Sequence, residues 1–323
     1  MKIAEILAAF PNRSALVAGD ICLDRWCTYE PATAEASYET GIPRIGVIGT
    51  AITPGAGGTF ASNLAELGVG HVSVLGAIGE DGFGYELRQA LESRRISTDL
   101  LIRSDQLSTF TYTKLINATS GVEDQPRVDF INTRPLPEAV ERQILAHLRE
   151  RAGDFDVIFV SDQAETDHGG VVTPAVREAL AEIAPGRVVI ADSRRRTGEF
   201  RNVILKPNAR EAACASTSLF GCIDYQRLRK HAAAPLLFVT QGPRGVLVIE
   251  DGCETQVPTR PIEKPVDICG AGDSFAAGMG MALAVTGSAV EAARFGNLVA
   301  SVTIMKKGTG TASPDEVLAA AGE

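Results

Sequence analysis

An aspartate in the first turn of a glycine-opened helix is the residue of this chain best placed to do chemistry. The run reads Asp267-Ile268-Cys269-Gly270-Ala271-Gly272-Asp273-Ser274-Phe275-Ala276-Ala277-Gly278, and the apolar stretch after it predicts a helix through Thr286. A helix N-terminus presents unpaired N–H groups and the positive end of its macrodipole, which attract phosphate. Small residues at Gly270, Ala271 and Gly272 let the backbone approach an anion closely. A carboxylate at Asp273 can take the proton from an attacking hydroxyl while those N–H groups stabilise the transferring phosphoryl. The same run also fits a plain helix cap, so the chemistry needs support from the rest of the chain.

The elements around it supply that support. Short, doubly apolar runs at 14–19, 72–76, 157–160, 188–191, 203–205 and 236–240 read as buried strands. Helix-period segments at 59–67, 84–94, 138–151, 174–183, near Glu211 and at 225–233 separate them. Strands apolar on both faces and alternating with helices imply an α/β fold, a mostly parallel sheet covered on both sides. Ligands of such sheets bind beyond the carboxyl ends of the strands. Asp20, Asp192 and Thr240 each stand at such an end. Two stretches, about 27–52 and 109–131, interrupt the rhythm with strand-like pieces and no covering helix, and are expected to form a small β lid. No linker is rich enough in Pro or Ser to divide the chain, so 1–323 is expected to be a single domain.

Composition narrows the function classes. A net charge of −9 argues against a sequence-independent nucleic-acid binder, and no apolar run approaches a membrane span. Six cysteines lie without a C-x-x-C pair or a histidine at metal-ligand spacing, which favours reduced thiols and a cytoplasmic location over a zinc site. The opening MKIAEILAAF is too short for a signal peptide and reads as a small amphipathic helix. There is no G-x-x-x-x-G-K-[ST] and no H-R-D with D-F-G, which excludes the usual P-loop and protein-kinase arrangements. The basic run Arg194-Arg195-Arg196 reads as a solvated loop, Trp26 and Tyr29 as lid packing, and His168 as a loop residue. Unpaired lid edges predict a homodimer through the lid.

The D-x-x-G-A-G-D-x-F-x-x-G run resembles the C-terminal signature of the ribokinase-like (PfkB) carbohydrate kinases, and further features recur in order along nearly the whole chain. Gly19-Asp20 through Asp24 resembles the family's first strand, whose second acidic residue binds sugar hydroxyls. Residues 55–68, with Gly57, Gly58 and Thr59, resemble the N-terminal glycine-rich signature, and Gly79-Glu80-Asp81-Gly82-Phe83-Gly84 the G-x-D-x-x-G after it. Asn208-Ala209-Arg210-Glu211 matches the N-x-x-E motif of Mg²⁺ and phosphate handling. Thr240-Gln241-Gly242-Pro243-Arg244-Gly245 matches the nucleotide loop, and Asn297 falls at an adenine-pocket position. The resemblance implies ATP and Mg²⁺, with Glu211 acting on the metal indirectly, and a monovalent cation such as K⁺ near Asp267. It implies Asp273 as base, residues 270–272 as anion hole, and Asp20, Asp24, Gly57, Gly58, Thr59 and Arg194 around the acceptor.

Within the family the chain is most similar to the heptose-phosphate kinases of lipopolysaccharide-core synthesis. The likeness lies in Gly19-Asp20-Ile21-Cys22-Leu23-Asp24-Arg25-Trp26, in the spacing of Ser37, Glu39 and Pro43, and in Arg127-Val128-Asp129-Phe130. Arg194 falls where those kinases carry a basic residue that could meet a substrate phosphate. Thr59 departs from the family's sugar-binding Asn, and Asp192-Ser193-Arg194-Arg195 from its D-P-K-G. A nucleoside or vitamin alcohol as acceptor, and a non-catalytic sensor of sugar or nucleotide, are the alternative readings.

Overall fold

The computed structural model describes residues 1–322. In chain order its elements begin α1 (Ile3–Ala9), β1 (Ser14–Gly19), β2 (Ile21–Tyr29), β3 (Val47–Ala56), α2 (Gly57–Glu66), β4 (His71–Gly79), α3 (Gly82–Glu92) and β5 (Ser97–Ser104). They continue with β6 (Thr111–Asn117), β7 (Val128–Phe130), α4 (Glu138–Arg151), β8 (Val157–Asp162), α5 (Pro174–Ile183), β9 (Val188–Ser193), β10 (Ile204–Leu205) and α6 (Ala209–Phe220). The last are α7 (Tyr225–His231), β11 (Leu237–Thr240), β12 (Val246–Glu250), β13 (Cys253–Val257), α8 (Ala271–Thr286), α9 (Ala289–Thr303) and α10 (Pro314–Ala321).

The strands form two sheets. The larger runs β13-β12-β11-β10-β9-β8-β1-β4-β5 and is parallel except where β12 pairs β11 and β13. Its central strands are buried on both faces because side chains alternate. Along β1, Ala15 and Val17 join one core with Phe159, Phe275 and Phe295, while Leu16 and Ala18 join the other with Leu148, Leu180 and Leu237. Helices α2, α8 and α9 cover the first face, and α4, α5, α6 and α7 the second. This is the doubly covered α/β sheet that the strand–helix rhythm predicts.

The smaller sheet runs β3-β2-β6-β7. Its strand β2 extends well upstream of the interruption seen in the sequence, and β6 and β7 pair antiparallel as the expected hairpin. Register decides which residues look inward. Asp24 lies opposite Tyr112 and Thr53, Trp26 opposite Lys114 and Ala51, and Tyr112 opposite Asp129. Opposed residues share a face, so this sheet presents a row of charged and aromatic side chains on one side. Across to α3, Arg25 sits 4.7 Å over the Phe83 ring and 3.5 Å from Glu86, and Phe130 meets Phe83 at 4.8 Å.

The apolar runs at β5, β12, β13 and α10 lie outside the elements predicted from the sequence. β13 is mostly exposed and carries Glu254, Thr255 and Gln256, which hides a strand from a hydrophobicity reading.

Candidate active site

Helix α8 opens as its sequence predicts. Gly270 is the N-cap at φ +77°, a left-handed conformation that a side chain would strain. A Cβ there would also meet Thr59 Cγ2 at 3.3 Å and Thr309 Cγ2 at 3.4 Å. Asp267 braces the loop before it, accepting hydrogen bonds from Cys269 N at 2.9 Å and Gly308 N at 3.1 Å. The N–H groups of the first turn are thereby fixed in direction.

Asp273 opens onto a cleft of about 160 Å³ that Asp24, Trp26, Thr59, Tyr112, Lys114, Arg127, Arg194, Cys269 and Gly270 also line. Burial raises the Asp273 carboxyl to about 7, helped by the negative charge of Asp192 and opposed by Lys206 and Arg194. Burial likewise raises Asp24 to about 6, opposed by Lys114 and Arg127. Two carboxyl groups poised near neutrality in one cleft mark a site suited to moving protons. Room for Asp24 comes from Gly55 on the paired strand, where a Cβ would lie 2.6 Å from the carboxylate.

Three cations face the same cleft, each held by a neighbour. Arg127 forks onto Asp129 through Nε at 3.0 Å and Nη2 at 2.6 Å and stacks 5.1 Å from the Tyr112 ring centre. Arg194 Nε donates to Gln163 Oε1 at 2.8 Å. Lys114 lies 3.8 Å from Glu123. The sequence reading named Arg194 alone. Lys114 comes to the cleft through the parallel pairing of β2 with β6, which sets it opposite Trp26.

Several sequence expectations change. The run Arg194-Arg195-Arg196 is a solvated loop only in part. Arg196 Nη1 pairs with the fully buried Asp162 at 2.7 Å, while Arg194 and Arg195 stay exposed, Arg195 beside Asp167. Asp20 does not line this cleft. Its buried carboxylate accepts from Gln163 N, Ala164 N and Val171 N, each at 2.8 Å, and so anchors the loop after β8. Gly57 and Gly58 serve close packing, since a Cβ at Gly57 would lie 2.6 Å from Ile21 Cδ1 and one at Gly58 would strike Pro54 Cβ at 2.5 Å. Thr59 lines the cleft, but its hydroxyl already donates to Pro54 O at 3.2 Å. Trp26, expected to pack within the small sheet, lines the cleft instead.

The nucleotide-side candidates gather elsewhere. Asn208 caps α6, its Oδ1 accepting from Arg210 N and Glu211 N, and Glu211 Oε2 returns a bond to Asn208 N at 2.8 Å. Burial raises Glu211, as does the nearby Asp192. Thr240 ends β11 beside Asn208. Gly242 (φ +57°) and Gly245 (φ +86°) turn the chain back into β12. A Cβ at Gly245 would press on Thr259 N at 2.8 Å. Asn297 Nδ2 donates to Val257 O and Pro258 O and borders a second cavity with Thr259, Leu298 and Ser301.

Mg²⁺ and a monovalent ion fare differently. Among the described residues no three His, Cys, Asp or Glu side chains could enclose a metal. Mg²⁺ in phosphoryl-transfer sites needs only one or two carboxylates plus phosphate oxygens, and Glu211 retains an oxygen free of Asn208, so the residues fit. Asp267, the residue expected near a monovalent cation, is engaged by its own loop. Both its carboxylate oxygens accept backbone N–H groups, and the adjoining loop already holds the Lys306 ammonium, which donates to Thr311 O at 2.6 Å and pairs with Glu316 at 2.7 Å.

Residues 49–316 match the family of pfkB family carbohydrate kinases. The chain belongs to the pfkB family of carbohydrate kinases. No described helix is long and apolar enough to cross a membrane. A bifunctional protein HldE of Pelobacter propionicus is 30% identical over 98% of this kinase, which spans 65% of that relative's length. Ribokinase of Thermotoga maritima shares the fold at TM-score 0.71 and 20% identity, covering 96% of this chain and 100% of its own. Phosphofructokinase-2 of Escherichia coli, solved with potassium, gives 0.71 and 20% over 96% and 98%.

Proposed function

We propose that the kinase transfers the γ-phosphoryl group of ATP to a hydroxyl of a sugar phosphate, a heptose phosphate being the acceptor its resemblance favours. One observation carries the reading: Asp273, the first turn of α8 and the cations Lys114, Arg127 and Arg194 open onto the same cleft. A neutral sugar, nucleoside or vitamin alcohol gives three clustered cations nothing to pair with, whereas a phosphate already on the acceptor does.

The acceptor lies against the small sheet, its phosphate toward the cations and a hydroxyl toward Asp273. Asp24 accepts from another hydroxyl. Asp273 takes the proton as the acceptor oxygen bonds to the γ-phosphorus, and the bond to the bridging oxygen of ADP breaks. The N–H groups of residues 270–272 receive the charge on the transferring group. Glu211, through water, and the ATP phosphates would hold Mg²⁺, which when bound neutralises phosphate charge. The nucleotide lies along Asn208, Thr240, Gly242, Gly245 and Asn297. Residues 1–323 act as one kinase domain, and the small sheet, with segments about 27–52 and 109–131, serves as the lid that excludes water.

The test is phosphoryl transfer to sugar phosphates and their neutral counterparts from pH 5.5 to 9. Asp273 works only when ionised, so the rate falls as pH drops through about 7. Below that the decline is about tenfold per pH unit. A neutral sugar used as readily as its phosphate, or a rate flat across this range, would count against the proposal.

The lid also supports a dimer. Its edge strands are β3 and β7, where Val47, Ile48, Val128 and Phe130 are exposed, as are Tyr38 and Ile42 nearby. Unpaired edges with apolar side chains invite a second copy. Light scattering is expected to give twice the 34.1 kDa chain mass, and Ile48→Asp to give the single mass. A monomer at tens of micromolar for the unsubstituted chain refutes the dimer.

A further inference from the structure

Trp26 is the single tryptophan of the chain and stands on the same face of β2 as Asp24, two residues before it. Strand pairing sets Ala51 on one side of it and Lys114 on the other. Its indole reaches beyond the small sheet, since a Cβ built on Gly308 would lie 3.8 Å from Trp26 Cζ2. Gly308 belongs to the loop beside the start of α8. Its N–H donates to Asp267 at 3.1 Å, and the neighbouring Thr309 hydroxyl meets that of Thr53 on β3 at 3.3 Å. The indole therefore forms one wall of the cleft, between the small sheet and the cap of α8.

Among the described residues no aromatic ring stacks on Trp26 and no guanidinium or ammonium lies over it. Ala51 is too small to cover it. The other aromatic side chain of the cleft is different, because the Arg127 guanidinium already lies 5.1 Å over the Tyr112 ring. Charge dominates the remaining walls, with Asp24, Lys114, Arg127, Arg194 and Asp273. Trp26 thus supplies the open aromatic face of a polar cleft. Keeping that face in water costs hydration free energy, which an apolar surface laid against it would recover. A sugar ring has such a surface, the C–H groups of one face, with its hydroxyls at the rim. Aromatic walls with a few placed polar groups are the usual make-up of a small-molecule site.

We propose that Trp26 is a specificity-determining residue, its indole stacking on the C–H face of the acceptor's sugar ring. This rests on the proposed function, in which a sugar phosphate occupies this cleft. Asp24 and the cations bind groups at the rim of the ring, which leaves its tilt free. The indole fixes that tilt, so that one hydroxyl is held toward Asp273. The contact also selects a closed ring. An open-chain polyol phosphate offers the same kinds of hydroxyl and the same phosphate, but no flat C–H face to lay against an indole.

The test is titration with a heptose phosphate and with the matching heptitol phosphate, Mg-ADP present, followed by calorimetry and by tryptophan fluorescence. Position 26 is the only source of that emission. The heptose phosphate is expected to change the emission with the same Kd that calorimetry gives. Trp26→Leu, which keeps an apolar side chain in the small sheet, should weaken the heptose phosphate at least tenfold and the heptitol phosphate by less than about threefold. Mg-ATP affinity should stay within about threefold, and Trp26→Phe should recover most of the loss. Trp26→Met replaces the Leu variant should that not fold. Emission that stays constant while calorimetry records binding overturns the proposal. Equal losses for the cyclic and open-chain ligands also overturn it, because Trp26 would then only shape the lid. Calorimetry with no binding of the heptose phosphate to the unsubstituted kinase sinks the acceptor reading itself, and the stacking falls with it.

Discussion

Asp273→Asn is expected to lower turnover by about 10²- to 10⁴-fold while ATP affinity stays within a few-fold. The amide has the shape of the carboxylate but cannot take a proton, so the acceptor hydroxyl must lose its proton to water. On the proposed reading ATP is held elsewhere, by backbone N–H groups at 270–272 and by the residues near Asn208 and Thr240, which this change leaves alone. The substitution also separates chemistry from folding. Burial holds the Asp273 carboxyl at about 7, above the ordinary 3.8, so the folded chain binds this proton more tightly than the unfolded one. Stability therefore declines as pH rises from about 4 to about 7, and above that the ionised group is a burden to the fold. Asparagine removes that burden, so at pH 8 the variant should melt no lower than the unsubstituted kinase. A slow enzyme with an undiminished melting temperature identifies the loss as catalytic. A near-normal rate would remove Asp273 from the mechanism.

The second large effect concerns acceptor choice. Lys114→Ala and Arg127→Ala are each expected to raise KM for a sugar phosphate by roughly 10- to 100-fold, since a hydrogen bond to a charged group contributes about 1.5–3 kcal/mol and 1.4 kcal/mol is tenfold. Against the matching neutral sugar, the same variants should change kcat/KM by less than about threefold. Arg127 is the sharper test. Its Nε and Nη2 are occupied by Asp129 and its plane is set against Tyr112, so the guanidinium is held in place at the cleft with Nη1 free of Asp129. Arg127→Lys keeps the charge and loses the fork, and should recover only part of the loss. If both acceptors weaken together, the cations shape the lid and do not read the phosphate.

Much of this arrangement was legible in the residues. The apolar runs at 14–19 and 157–160 announce strands buried on both faces, and they are the centre of the sheet. The glycine-opened start of α8 was readable because a left-handed N-cap and a first-turn carboxylate have few sequence forms. What could not be read depends on pairing between distant strands. Lys114 and Arg127 look ordinary in a chain, and only the parallel pairing of β2 with β6 sets Lys114 beside Trp26 at the cleft. Asp20 misled for a related reason. A carboxylate at a strand end usually faces ligand, but here three N–H groups of the 163–171 backbone arrive from another part of the chain and enclose it. Arg196 looked like a surface charge until β8 brought Asp162 beneath it. Such partners come from long-range topology, which local pattern does not encode.

The most direct measurement is a crystal structure of Asp273→Asn with ATP and a sugar phosphate, a variant slow enough to hold both. The γ-phosphorus should lie at the N–H groups of residues 270–272, with the acceptor hydroxyl within hydrogen-bond reach of the residue 273 side chain and the acceptor phosphate among Lys114, Arg127 and Arg194. A triphosphate bound away from the start of α8, or an acceptor whose hydroxyls all point away from position 273, would contradict the account.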